Sequence, residues 1–225
     1  MFIEEEIKTD VRPFVAVYAP NREFLYKYFD RAFNCRICDN PADADKKFPA
    51  FLCIGIGEEM DSYAQDFLDN CVKNDINVVI LRLGLVVGTG MTGPTMQLAR
   101  KIARGTLLKI RDNETQWSLI HATDVVKAGL LIAENIKEVK SEYILGGNPI
   151  GVNSLIDALS YRIKNKRIGF ISQKWARILY GRKFYELVTT PINADSSNFK
   201  SQFPDFIFED VPHYLTTHNY NEESL

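Results

Sequence analysis

Three glycines, Gly84, Gly88 and Gly90, punctuate the run Leu83-Gly-Leu-Val-Val-Gly-Thr-Gly90, directly after the β-rich segment Asn77-Val-Val-Ile-Leu-Arg82. Glycines at the carboxyl end of a strand let backbone approach a bound nucleotide, because no Cβ intervenes; the alternative is that they only permit a tight turn. The other residues able to do chemistry are few. Tyr63 and His121 are weak candidates for an acid or base, and Trp117 joins the glycines as a candidate substrate contact. Tyr18, Asn21 and Asp39 follow the first apolar run as candidate cofactor contacts. Asp39 stands about 20 residues on, where a carboxylate can bond an adenosine ribose.

Metal and redox chemistry find little support. Cys35 and Cys38 form a lone CxxC, and no second pair nearby completes a four-ligand site. Cys53 and Cys71 are isolated, and His121, His213 and His218 are scattered. The cysteines are expected to be plain core residues, with no metal site.

To position these groups the chain must alternate strands and helices. Phe14–Tyr18 reads as a strand, and Asn21 is a plausible cap for a helix with apolar residues at Phe24, Leu25, Tyr28, Phe29 and Phe33. A short strand over 35–38, a loop over 40–45 and a buried strand over 48–54 follow. The spacing of Met60, Tyr63, Phe67, Leu68 and Cys71 predicts a helix over 58–74, ahead of a strand over 76–82. Further on come a helix over 94–104, strands over 107–110 and 117–121, and a helix over 124–134 capped by Asp124. A last strand over 143–145 precedes a helix over 154–164 capped by Asn153. This order predicts an α/β protein with a shortened, Rossmann-like, doubly wound parallel sheet. Residues 1–147 form that unit, with 92–116 contributing to a substrate lobe, and 148–225 form a small, mainly helical C-terminal lobe.

At 225 residues the chain can bury a sizeable core. Its formal charge of −2 is spread over both signs, which predicts no basic field for nucleic acid or an anionic membrane. No segment approaches the roughly 18 apolar residues of a membrane span, and the start, Met1-Phe-Ile-Glu-Glu-Glu6, carries no basic flank or apolar run. A cytoplasmic location is expected.

Four segments in order carry a family resemblance. Leu81-Arg-Leu-Gly-Leu-Val-Val-Gly-Thr-Gly90 resembles L-R-P-x-x-V-Y-G-P-G, and Trp117-Ser-Leu-Ile-His-Ala-Thr-Asp-Val125 resembles R-D-F-I-H-V-x-D-V. Tyr143-Ile-Leu-Gly-Gly147 is similar to Y-N-x-G-G, and Asp195-Ser-Ser-Asn-Phe-Lys200 with Phe203-Pro-Asp-Phe206 is similar to a D-x-S-K…LGF segment. All four are motifs of the extended short-chain dehydrogenase/reductase family, the NAD-dependent epimerases and dehydratases. The resemblance implies a Rossmann sheet, an NAD(P) cofactor and a nucleotide-sugar substrate. It also implies that Trp117 stands where many members place an arginine that grips the substrate diphosphate, without that guanidinium fork.

The departures are as informative. The family's GxxGxxG falls on Tyr18-Ala-Pro-Asn21-Arg-Glu-Phe24, which contains no glycine, so bulky side chains are expected where a pyrophosphate would lie. The family's Tyr-x-x-x-Lys, in which lysine lowers the tyrosine pKa, falls near Ile56 and Gly57; the nearest substitute, Tyr63-Ala-Gln-Asp-Phe67, has phenylalanine in place of lysine. Between Asp39 and Glu58 there is room for one strand where a complete fold needs several units. An incomplete nicotinamide pocket follows. The expected function is a degenerate, catalytically impaired member that binds a nucleotide, a nucleotide sugar or a protein partner, with homo-oligomerisation or a partner subunit as the assembly. The alternatives are an active epimerase, dehydratase or reductase with a non-standard base, and a structural subunit of an envelope or polysaccharide assembly.

Overall fold

In chain order the elements are β1 (Phe14–Tyr18), α1 (Leu25–Phe33), β2 (Arg36–Cys38), β3 (Ala50–Gly55), α2 (Ser62–Lys73), β4 (Val78–Leu83), β5 (Leu85–Val87), α3 (Gly93–Ala103) and β6 (Lys109–Ile110). They continue as β7 (Gln116–His121), α4 (Ala122–Glu134), β8 (Glu142–Leu145), β9 (Pro149–Gly151), α5 (Val152–Lys164), β10 (Phe170–Ile171), α6 (Gln173–Thr189), α7 (Ser197–Gln202) and α8 (Val211–Thr217). The computed structural model describes residues 14–34, 36–38, 40–135, 140–164 and 167–217. Cys35, Asp39 and His218 lie outside the described residues.

The main sheet has the order β2-β1-β3-β4-β8 and is parallel throughout. Every residue of β3 is buried, as a central strand covered on both faces requires. On one face α1 places Leu25, Phe29 and Phe33 inward, and the rings of Phe29 and Phe51 lie 5.4 Å apart. α4 packs beside α1 so closely that a Cβ on Gly129 would come within 3.2 Å of the Phe29 ring. On the other face α2 contributes Ala64, Phe67 and Cys71 to a separate cluster with Leu52 and Ile54. Helices on both faces of a parallel sheet make this the doubly wound Rossmann-like arrangement that the alternation of elements predicts.

The chain leaves this sheet at Gly84. β4 stays paired to β8 through Leu83 and Leu145, but β5 turns away to pair with β7, which in turn pairs antiparallel with β9. A Cβ on Gly84 would stand 2.5 Å from the Ser118 carbonyl oxygen, so only glycine lets these backbones cross. Ser196 Oγ locks the same joint, accepting from Gly146 N at 2.8 Å and donating to Gly146 O at 2.7 Å. β5, β7 and β9 thus form a second sheet, and β6 and β10 a small third one. The single sheet expected from sequence is therefore divided, because the strand at 117–121 pairs away from its neighbours in sequence.

Three caps differ from expectation. Asn21 adopts a left-handed conformation (φ 60°) in the turn before α1, and the helix starts only at Leu25. α4 begins at Ala122, with the cap supplied by His121, whose Nδ1 accepts from Thr123 N at 3.3 Å. Asp124 instead accepts from Glu209 N at 2.6 Å and ties the C-terminal segment to the helix. Asn153 lies inside α5, where its Nδ2 donates to Ile110 O.

Candidate functional site

The order of the main sheet reverses between β1 and β3, since the connection from β1 leads to β2 on one side and the next returns to β3 on the other. A crevice opens outside the carboxyl ends of strands at such a switch point. Here it is a cleft of about 510 Å³, walled on one side by Asn21, Arg22, Glu23, Gly55 and Glu58 and on the other by Leu83, Gly84, Thr92 and Thr95. A smaller cavity of about 270 Å³ adjoins it, lined by Glu59 and Asp61 among others.

An ion pair braces the first wall. Arg22 donates from Nη1 to Glu58 Oε2 at 3.0 Å and from Nη2 to Glu58 Oε1 at 2.8 Å, a two-pronged fork that links the loop after β1 to the loop after β3. Nη1 also reaches Pro20 O at 3.0 Å. The fork lies against the end of β3: a Cβ on Gly55 would come within 2.4 Å of Arg22 Nη2. Burial pushes the Glu58 carboxyl up, but the bonds from Arg22 and from Gly55 N together outweigh it and hold the group below its ordinary value. Glu58 is therefore a carboxylate at neutral pH and no general acid.

The backbone donors of this wall are taken by the chain itself. Glu58 Oε2 accepts from Gly55 N at 2.8 Å and Glu23 Oε1 from Asn21 N at 3.1 Å. Arg22 N donates to Ala19 O at 2.9 Å, and Leu25 N to Arg22 O at 2.8 Å. Across the two cavities one cation, Arg22, faces four carboxylates, Glu23, Glu58, Glu59 and Asp61. Like charges of that number disfavour a pyrophosphate.

The facing wall is different. α3 opens toward the cleft with Thr92, Gly93, Pro94 and Thr95. Thr92 Oγ1 donates to Asn21 O at 2.8 Å, pinning this wall to the β1 loop. Thr95 is buried, and its hydroxyl has no hydrogen-bond partner. Helix N-terminal amides and a hydroxyl without a partner form the part of the cleft suited to an anion.

Of the residues singled out from sequence, Asn21 and Gly84 line this cleft. Gly88 and Gly90 do not; their Cα atoms pack against α1, where added Cβ atoms would meet the Tyr28 hydroxyl at 2.8 Å and the Phe24 Cβ at 3.3 Å. Tyr28 Oη in turn accepts from Thr89 N at 2.9 Å. Trp117 is wholly buried, and its Nε1 donates to Thr190 O at 3.0 Å, so the indole fills the core under the second sheet. Tyr18 stacks on Phe67, and burial followed by the nearby Asp61 pushes its phenol up. Tyr63 is exposed on the first turn of α2, outside the cleft. His121 is buried and does not line the cleft; its Nδ1 stands 3.1 Å from Glu209 Oε2 and its ring 4.2 Å from that of Tyr214.

Arg22, Glu23, Glu58 and Thr95 were not singled out from sequence. A glycine-ended strand followed by Glu58, and an arginine inside the loop after β1, were the available signals. Burial pushes Cys53 up to about 12 and Cys71 to about 11, and no cluster suited to a metal exists among the described residues. No helix among the described residues is long and apolar enough to cross a membrane.

Residues 62–146 match the NAD dependent epimerase/dehydratase family. The fold is similar to that of a nucleoside-diphosphate-sugar epimerase from Pseudomonas aeruginosa, at 14% identity and a TM-score of 0.58, over 90% of this chain and 95% of that one. It is also similar to a UDP-N-acetylglucosamine 4-epimerase from Methanobrevibacter ruminantium, solved with UDP-N-acetylmuramic acid, at 12% identity and a TM-score of 0.56, over 92% of this chain and 97% of that one. Against gox2253 the TM-score is 0.50 at 15% identity, over 75% of this chain, which spans 64% of the other. No curated protein matches. Residues 62–146 thus resemble the NAD dependent epimerase/dehydratase family, and the whole chain shares the fold of these epimerases.

Proposed function

We propose that the protein binds a nucleotide sugar in the cleft without using a nicotinamide cofactor, as a catalytically impaired member of its family. The Arg22–Glu58 fork across the β1–β3 crevice carries this reading. It ties the loops after β1 and β3 together at the switch point, and with Glu23 it consumes amides that a pyrophosphate would need. The α3 wall keeps its helix amides and the Thr95 hydroxyl for the diphosphate of a ligand. The M. ruminantium epimerase with its bound UDP sugar supports that ligand class through fold likeness. Tyr63 and His121, both outside the cleft, weigh against a non-standard base.

Isothermal titration with UDP-N-acetylglucosamine, NADH and NADPH tests the proposal. The expected result is saturable binding of the UDP sugar, no heat from either dinucleotide, and no epimerisation of the bound sugar. Micromolar affinity for NADH or NADPH overturns it.

A further inference from the structure

The near-neutral charge of the chain conceals a local imbalance. Over residues 161–183 there are eight lysines and arginines (positions 162, 164, 166, 167, 174, 177, 182 and 183) and no acidic residue, against a total of −2. The first half of α6 lies in this segment and is fixed to the protein from one side. Ala176 is fully buried, and the Tyr180 hydroxyl accepts from Leu108 N at 2.7 Å and donates to Leu108 O. Gly181, with φ 70° and ψ 166°, interrupts the helix, and Phe184 and Val188 anchor its second half.

The opposite side of the first half is apolar and faces solvent. Trp175, Ile178 and Leu179, spaced i, i+3 and i+4, form one stripe and are 62%, 65% and 58% exposed. Phe170, just before the helix, is 54% exposed. Lys174, four positions before Ile178, borders the stripe, and Arg177, three positions after Lys174, lies beyond it on the same flank; neither they nor Lys183 makes an ion pair among the described residues, and Arg182 pairs with Glu186 at 2.7 Å. A rigid helix face of tryptophan and aliphatics edged by unneutralised cations has the chemistry of an interfacial helix. Its apolar side chains enter the acyl boundary while the cations meet lipid phosphates.

We infer that the first half of α6, through Trp175, Ile178 and Leu179 with Lys174 and Arg177, docks peripherally on an anionic lipid surface. Charge and apolar complementarity together select this occupant: a neutral bilayer gives the cations no counter-charge, and a nucleic acid backbone gives the exposed tryptophan and aliphatic side chains no apolar phase to enter.

Vesicle flotation of the full chain tests it, comparing phosphatidylcholine alone with phosphatidylcholine containing about 30% phosphatidylserine. The protein should float with the phosphatidylserine vesicles only, and should be released by high salt. Tryptophan emission should shift to the blue on binding, a change lost in Trp175→Ala because Trp117 is already buried. Ile178→Ser with Leu179→Ser, and separately Lys174→Glu with Arg177→Glu, should each lower vesicle affinity at least about tenfold. These residues are exposed, so the variants should melt like the parent. No association at low ionic strength, or association that the variants leave intact, overturns the inference. So does binding of the same face to an RNA or DNA oligomer, or self-association abolished by the same variants, when phosphatidylserine vesicles are not bound.

Discussion

The two walls of the cleft come from the same crossover architecture yet have opposite surface chemistry. The wall formed by the loops after β1 and β3 is self-satisfied, with Arg22, Glu58 and Glu23 spent on one another and on Asn21 and Gly55 amides. The wall formed by the start of α3 leaves a buried hydroxyl, Thr95, without a partner. A site keeps ligand-binding capacity where polar groups remain unmatched, and loses it where the protein supplies its own counter-ion. On the proposed reading, the wall after β1 and β3 serves structure and the α3 wall serves binding.

The strongest way to break this comparison is at Trp117. If it served the substrate wall, shortening it would chiefly cost affinity. Because it is core, Trp117→Ala should destabilise the fold by about 3–5 kcal/mol, read by thermal or urea unfolding, while Trp117→Phe should leave nucleotide-sugar affinity unchanged. Gly84 follows in size. It lines the cleft, but Gly84→Ala should act by pushing β5 off Ser118, destabilising by roughly 1–3 kcal/mol; a variant of unchanged melting temperature with weakened ligand binding would reverse its assignment from structure to ligand contact.

Smaller effects sharpen the contrast between the walls. Thr95→Val removes the hydroxyl but keeps the shape, and should weaken nucleotide-sugar binding about fivefold without loss of stability. Equal affinity would detach α3 from the ligand. In the Arg22→Ala and Glu58→Ala double-mutant cycle the half-exposed carboxylate limits the coupling to below about 1 kcal/mol.

The smallest expected effect is on acid stability. The folded-state pKa of Glu58 lies below its ordinary value of 4.5, so its contribution is present above that value and lost as pH falls through the folded pKa. Melting temperatures taken downward from about pH 6 should therefore converge between the parent and Glu58→Gln only in the acid range. Parallel curves down to strong acid would show that the fork adds nothing.

Much of the main sheet was legible because its strands are nearly continuous apolar runs separated by periodic helices. β1, β3, β4 and β8 fall within a few residues of expectation. The short strands β5, β9 and β10, of two or three residues each, carry no period of their own and exist because a neighbour pairs with them. The caps at Asn21 and Asp124 failed for a related reason: a cap is decided by which backbone donor the side chain meets, and Asp124 meets Glu209, 85 residues away. In the site, the lack of glycines in the loop after β1 was readable, but the ion pair that braces that wall was not. Arg22 and Glu58 are 36 positions apart, and nothing in their spacing announces the fork.

Sequence by itself determined the α/β class, the family resemblance of residues 62–146 and the absence of the Tyr-x-x-x-Lys and glycine-rich motifs from the expected positions, because these depend on local order along the chain. The tertiary structure decided which glycines face the cleft and which face α1, that Trp117 is core, and that Arg22 pairs with Glu58 in the wall after β1 and β3. It also set the exposed apolar stripe of α6 within a cationic segment. Each depends on distances between residues remote in sequence, which only the packed sheet and its crossings fix.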